Sequence, residues 1–126
     1  MSVLSDYDVI ILGAGASGLM CAATAGYQGQ TVLVVDHAPK AAAKIRISGG
    51  GKCNFTNLNV SPDHFICQNP HFVKSALSRY PSSAFIELVV RHDLAYEIRG
   101  GGKLLNLCLN TPFYAFGNLK HLFFKE

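Results

Sequence analysis

A chain of 126 residues that is 49% apolar and 15% charged can bury one domain-sized core, and a formal charge of +3 from scattered Lys and Arg leaves no nucleic-acid or anionic-membrane footprint. Four cysteines, Cys21, Cys53, Cys67 and Cys108, stand apart without a CxxC pair. This excludes a disulfide framework and fits free thiols in a reducing cytoplasm.

The first predicted element is a strand over Val9 to Leu12, a short apolar run expected to be buried on both faces of a parallel sheet. Gly13, Gly15 and Gly18 follow with GxGxxG spacing. In a dinucleotide fold the first glycine makes the tight turn, the second admits a pyrophosphate to the backbone, and the third lets helix and strand pack closely. Ser17 to Gln28 reads as an uncharged, alanine-rich helix whose first-turn amides attract an anion, with Gly29 ending it. Cys21 is expected on its inner face, as packing. Thr31 to Val35 is a second strand, and Asp36 at its end lies 23 positions after Gly13, the spacing at which a carboxylate accepts hydrogen bonds from a ribose diol. An acid there disfavours a 2′-phosphate, so NADP is the least suitable dinucleotide for this site. Val9 to Tyr27 carries no charge, which imitates a membrane span. The glycines, Asp6 and Asp8 upstream, and the lack of Lys or Arg before Lys40 argue against one, and against a signal peptide.

A helix-prone stretch, Lys40 to Ile45, leads into ISGGGKCNFTN, Ile47 to Asn57. Three consecutive glycines imply backbone approaching a ligand or left-handed conformations, with a flexible surface loop as the bland alternative. Asn69 and Pro70 predict a helix start, with Phe72, Val73, Ala76 and Leu77 on its apolar face. After Pro81, Ser82 or Ser83 caps a second helix carrying Phe85, Ile86, Leu88 and Val89. Leu94 to Ile98 suits a short strand. His64, Cys67 and His71 imitate metal-ligand spacing, but Pro70 breaks their common face, and no metal is expected. Cys53 has no second thiol nearby in the chain for a dithiol relay and reads as a small buried residue.

GAGASGLMCAATAG, VLVVDH, KIRISGGGKCNFTN and NPHFVKSALSRY together resemble the start of the HI0933-like (BaiN/RdsA-type) flavoproteins, NAD(P)/FAD-dependent oxidoreductases, from about Tyr7 to Ile98. The resemblance implies an α/β fold: an incomplete Rossmann-like βαβ FAD-binding domain with parallel strands and inserted helices. It implies FAD as the dinucleotide, with Gly13, Gly15, Ala16, Ser17 and Gly18 at the pyrophosphate and Asp36, followed by His37, at the adenosine ribose. It also implies that Lys44 and the loop Gly49, Gly50, Gly51, Lys52, Cys53 and Asn54 lie along the cofactor. NAD(P)H is the implied electron donor, and a conjugated enone or a uracil ring in ribosomal RNA the implied substrate. No catalytic residue is assigned. The family usually has Arg at the position of Lys52 and Gly near Ala42, so the planar guanidinium fork is lost and the loop after the second strand is expected to sit differently.

From Arg99 onward the resemblance and the periodicity both stop, and residues 98–125 contain no Asp or Glu. Residues 1–98 therefore read as the N-terminal part of an FAD-binding domain and 99–126 as an atypical tail, expected to be an out-of-frame end of a truncated oxidoreductase. Two alternatives remain open: a noncatalytic nucleotide-binding fragment or pseudogene product, and a small NAD-binding regulatory module.

Overall fold

The computed structural model describes residues 6–106 and the backbone of 121–124. The chain forms two compact units, Met1–Ile47 with Asn110–Glu126, and Ser48–Leu109. The boundary between Ile47 and Ser48 falls inside the glycine-rich segment.

In the first unit, strand β1 (Val9–Leu12), helix α1 (Ala16–Tyr27) and strand β2 (Val32–Asp36) form the expected βαβ unit. β1 and β2 are parallel, with Val9 opposite Val32 and Leu12 opposite Val35. Strand β6 (His121–Phe124) adds in parallel on the other side of β2. Leu19, Ala22 and Ala23, spaced three and four apart, are the buried residues of α1. Leu19 and Ala22 pack with Ile11, Val32 and Val34 in one core cluster. Gly29 takes φ +81, and its N–H donates to the Gly26 carbonyl, which ends the helix as expected.

Two expectations are overturned in this unit. β1 is buried on one face only: Ile11 is 9% exposed, but Ile10 and Leu12 are 62% and 83% exposed. Successive strand residues point to opposite sides, and among the described residues helix packing reaches only the Ile11 side. Cys21 is exposed, because it falls between the buried positions of α1 instead of among them.

The segment α2 (Ala43–Gly51) is helical only to Ile47; Ser48 turns extended, and Gly49 and Gly50 take φ +61 and +68. Ala42, just before it, has φ +58 and donates its N–H to the Ala14 carbonyl at 2.8 Å. This is where the family resemblance anticipated glycine, and the left-handed backbone explains why glycine suits the position.

The second unit holds an antiparallel sheet ordered β3 (Asn54–Asn57), β5 (Lys103–Asn106), β4 (Tyr96–Arg99). Helices α3 (Lys74–Arg79) and α4 (Ser82–Arg91) lie between β3 and β4 in the chain. Leu88 and Val89 of α4 are buried, and Phe55 of β3 packs on Phe85 at a ring separation of 5.7 Å. Asn69 caps a turn rather than a helix: its Oδ1 accepts the His71 N–H at 3.0 Å, and α3 begins at Lys74. Phe72 is 74% exposed instead of lying on a buried face. Pro81 is the N-cap residue of α4, so Ser82 is its first helical residue and neither serine caps it. Two side chains of the set His64, Cys67 and His71 have hydrogen-bond partners. His64 Nδ1 accepts the Ser61 N–H at 3.3 Å, and Cys67 Sγ donates to the Asn69 carbonyl at 2.9 Å. Among the described residues no helix is long and apolar enough to cross a membrane. Cys108 and most of the atypical tail lie outside the described residues.

Candidate dinucleotide site

The first unit gathers its glycines and its acid at the carboxyl ends of β1 and β2. An open cleft of about 430 Å³ there is lined by Leu12, Gly13, Val35, Asp36 and His37. Open α/β sheets take their ligands outside the carboxyl ends of the strands.

The three glycines have separate jobs. Gly13 takes φ +104 and donates its N–H to the Val35 carbonyl at 2.7 Å, which turns the chain out of β1. Gly15 is the N-cap of α1 with φ −84 and ψ −169, and a Cβ built there would meet nothing within 4 Å. Its vacant side faces open space, as a ligand approach requires. Gly18 is the opposite case: a Cβ there would collide with the carbonyl oxygen of Gly13. Ala16 and Ser17 start α1, where the helix offers unpaired N–H groups to an anion.

Asp36 organises this turn. Its Oδ2 accepts the Ala14 N–H at 2.5 Å and its Oδ1 accepts the Ala38 N–H at 2.7 Å, with the side chain only 13% exposed. Those two amides, Ala38 first, hold its carboxyl below the usual carboxylate range. Each oxygen keeps a second lone pair for a hydroxyl donor. Asp36 thus clamps the glycine turn, a role the sequence spacing did not reveal. His37 is 98% exposed, its Nδ1 3.4 Å from Asp36 Oδ1. Lys44 is exposed in the first turn of α2. Asp8 makes a similar clamp at the other end of the sheet, where its Oδ2 accepts both the N–H and the Oγ–H of Thr31 at 2.7 and 2.8 Å.

Because the folded pKa of Asp36 is depressed, its stabilising contribution is complete above the ordinary carboxylate pKa of about 3.9 and is lost as pH falls through the lower folded value. Asp36→Asn is expected to melt below the unmodified chain at pH 7, and urea unfolding at stepwise lower pH should bring the two together. A gap that stays constant down to pH 2 would contradict the clamp.

In the second unit, taken alone, Gly49, Gly50 and Gly51 all have positive φ, and Cys53 shares the left-handed region at φ +51. The loop closes on Ser48, whose carbonyl accepts the Cys53 N–H at 3.0 Å and whose Oγ accepts the Asn54 N–H at 3.2 Å. A Cβ on Gly49 would lie 2.8 Å from Leu105 Cδ2 and 3.0 Å from the Asn54 nitrogen, so the first glycine is required by close packing as well as by φ. Cys53 is buried, and burial pushes its thiol pKa up, the Ser48 hydrogen bond only partly opposing this. Such a thiol is protonated at neutral pH and is a poor nucleophile. Lys52 Nζ lies 3.2 Å from Glu97 Oε1, which also lies 2.5 Å from Arg99 Nε. These contacts, the Lys52 hydrogen bond foremost, hold the Glu97 carboxyl below its usual range. Sequence reading missed Ser48 and Glu97. The serine preceding the glycine run was a visible signal; the glutamate is 45 positions from its lysine and gave none.

The family model described as HI0933-like protein Rossmann domain matches residues 7–110 and so extends beyond Ile98, the expected end of the resemblance. The ribosomal RNA dihydrouridine synthase of Escherichia coli K12 is 50% identical over 101 residues, covering 80% of this chain and 25% of that protein. Its namesake in Haemophilus influenzae Rd is 53% identical over 102 residues, with 80% and 25% covered. The 3-dehydro-bile acid delta(4,6)-reductase of Clostridium scindens is 29% identical over 93 residues, covering 72% of this chain and 23% of that protein. The chain spans about a quarter of the length of these curated relatives. With a family match over most of its residues and a βαβ unit of the expected build, the chain belongs to the HI0933-like Rossmann-domain family.

Proposed function

We propose that the first unit binds the ADP portion of FAD and that the chain serves a flavin-dependent oxidoreductase. The observation that carries this reading is the glycine turn itself. Gly15 is open on its ligand side, Gly18 is closed against Gly13, and Asp36 grips the turn through Ala14. Gly13, Gly15, Ala16, Ser17 and Gly18 would face the pyrophosphate, and Asp36, with His37 beside it, the adenosine ribose. Lys44 adds a cation to the same unit. In the second unit, considered alone, the loop Gly49–Asn54 is proposed as a further cofactor contact. Bound FAD would supply the redox chemistry, taking hydride from NAD(P)H and passing it to an unsaturated organic substrate. The protein's part is to bind, orient and exclude water.

Two relatives named for ribosomal RNA dihydrouridine synthesis stand at 50% and 53% identity, against 29% for the bile acid reductase. That difference favours a uracil ring in RNA over a conjugated enone as the substrate of the whole protein.

Titration of the purified full chain with FAD and with NAD tests the reading. A yellow, stoichiometric FAD complex is expected, with NAD binding far weaker. Preferential NAD binding would favour a regulatory nucleotide module, and binding of neither would favour a noncatalytic fragment.

A further inference from the structure

Between Ser48 and Asn54 the chain runs through three glycines at positive φ, a backbone that is costly to keep ordered. Its base is latched by Ser48, and Gly49 lies on Leu105 of β5. Leu105 is paired across the sheet with Asn54 of β3 on one side and Glu97 of β4 on the other. Glu97 therefore sits one strand beyond the loop's floor, and its carboxylate reaches back to Lys52 at the loop's far end. Arg99, two residues along β4 and so on the same face of that strand, contacts the same oxygen.

We propose that Glu97 is a positioning residue for the glycine loop: held by Arg99, it ties Lys52 to β4 and thereby fixes the loop's backbone. Lys52 then acts through the loop's shape, with its ammonium engaged by Glu97 instead of serving as a free cation for an anionic ligand. Arg99 keeps the carboxylate turned toward the loop, so the three side chains work as a relay. Where this touches cofactor binding it rests on the proposed contact of Gly49–Asn54 with FAD.

Amide hydrogen exchange of the full chain at Cys53 and Asn54, whose N–H groups close the loop on Ser48, reads the positioning without any cofactor. Glu97→Gln and Lys52→Met are each expected to speed that exchange about two- to five-fold, the range for partly exposed ion pairs. The double variant should be no faster than either single one, and Glu97→Asp should restore most of the protection. Unchanged exchange in Glu97→Gln, or effects that add in the double variant, would overturn the proposal.

FAD titration of the same variants gives a second readout. The relay predicts that both single variants weaken FAD binding by a similar factor. Weakening by Lys52→Met together with tighter binding by Glu97→Gln would make Lys52 a direct ligand and overturn the relay. An unmodified chain that takes up no FAD would refute the cofactor reading, while the exchange experiment would still decide the positioning role.

Discussion

Gly18→Ala is expected to unfold the first unit under conditions where the unmodified chain stays folded. One added methyl group would overlap the Gly13 carbonyl oxygen, a backbone atom at the turn that leaves β1. Unlike a flexible side chain, that oxygen cannot swing aside without moving the turn. The Gly13 N–H to Val35 bond and the Ala14 N–H to Asp36 bond would move with it. Overpacking a well-filled site costs about 1–3 kcal/mol and occasionally more. With two clamp bonds disturbed as well, a loss of about 3 kcal/mol is expected, a large share of a small domain's stability. Urea unfolding followed by far-ultraviolet circular dichroism checks it. A midpoint unchanged from the parent would mean that helix and strand do not pack as closely as described.

Gly15→Val is expected to do the reverse, sparing the fold and abolishing nucleotide binding. The backbone at Gly15 is extended, a conformation valine adopts readily, and its Cβ would enter open space. Loss of a favourable N-cap residue costs about 1 kcal/mol or less. A branched side chain at the mouth of the turn would hold a pyrophosphate away from the helix N-terminus. The expected weakening of FAD binding is about 100-fold or more, equivalent to about 2.7 kcal/mol. Thermal melting and FAD titration of one preparation separate the two effects. Together Gly15 and Gly18 divide a single motif into a ligand-facing residue and a packing residue.

The βαβ unit was legible because its information is local. Ile11, the Gly13 turn, Leu19 with Ala22 and Ala23, and the Gly29 stop each act within a few residues of themselves. Asp36 was legible as an acid at the strand end, but its bond to Ala14 depends on how the turn folds back, which spacing alone does not give. Of the second sheet only β4 was legible, as the short strand expected over Leu94 to Ile98, and the rest was hidden for a different reason. Leu104 and Leu105 are adjacent and both buried, so β5, flanked by β3 and β4, shows no alternation of apolar and polar residues. β4 adjoins β5 through Gly100–Gly102, but the other partner of β5, β3, lies far away in the chain, as does the partner of β6, and pairings of that kind leave no local pattern. Phe72 misled because helical spacing was present where the chain forms a turn instead.

The claim that the glycine turn of the first unit is the cofactor's pyrophosphate site is tested most directly by mapping backbone amide shifts of the isotopically labelled full chain during FAD addition. The largest and saturable shifts are expected at Gly13, Ala14, Gly15, Ala16, Ser17 and Gly18, with Ala38 responding through Asp36, and ADP alone should reproduce them. FAD binding that leaves those amides unmoved, or no saturable shift at the turn with either ligand, would contradict the account.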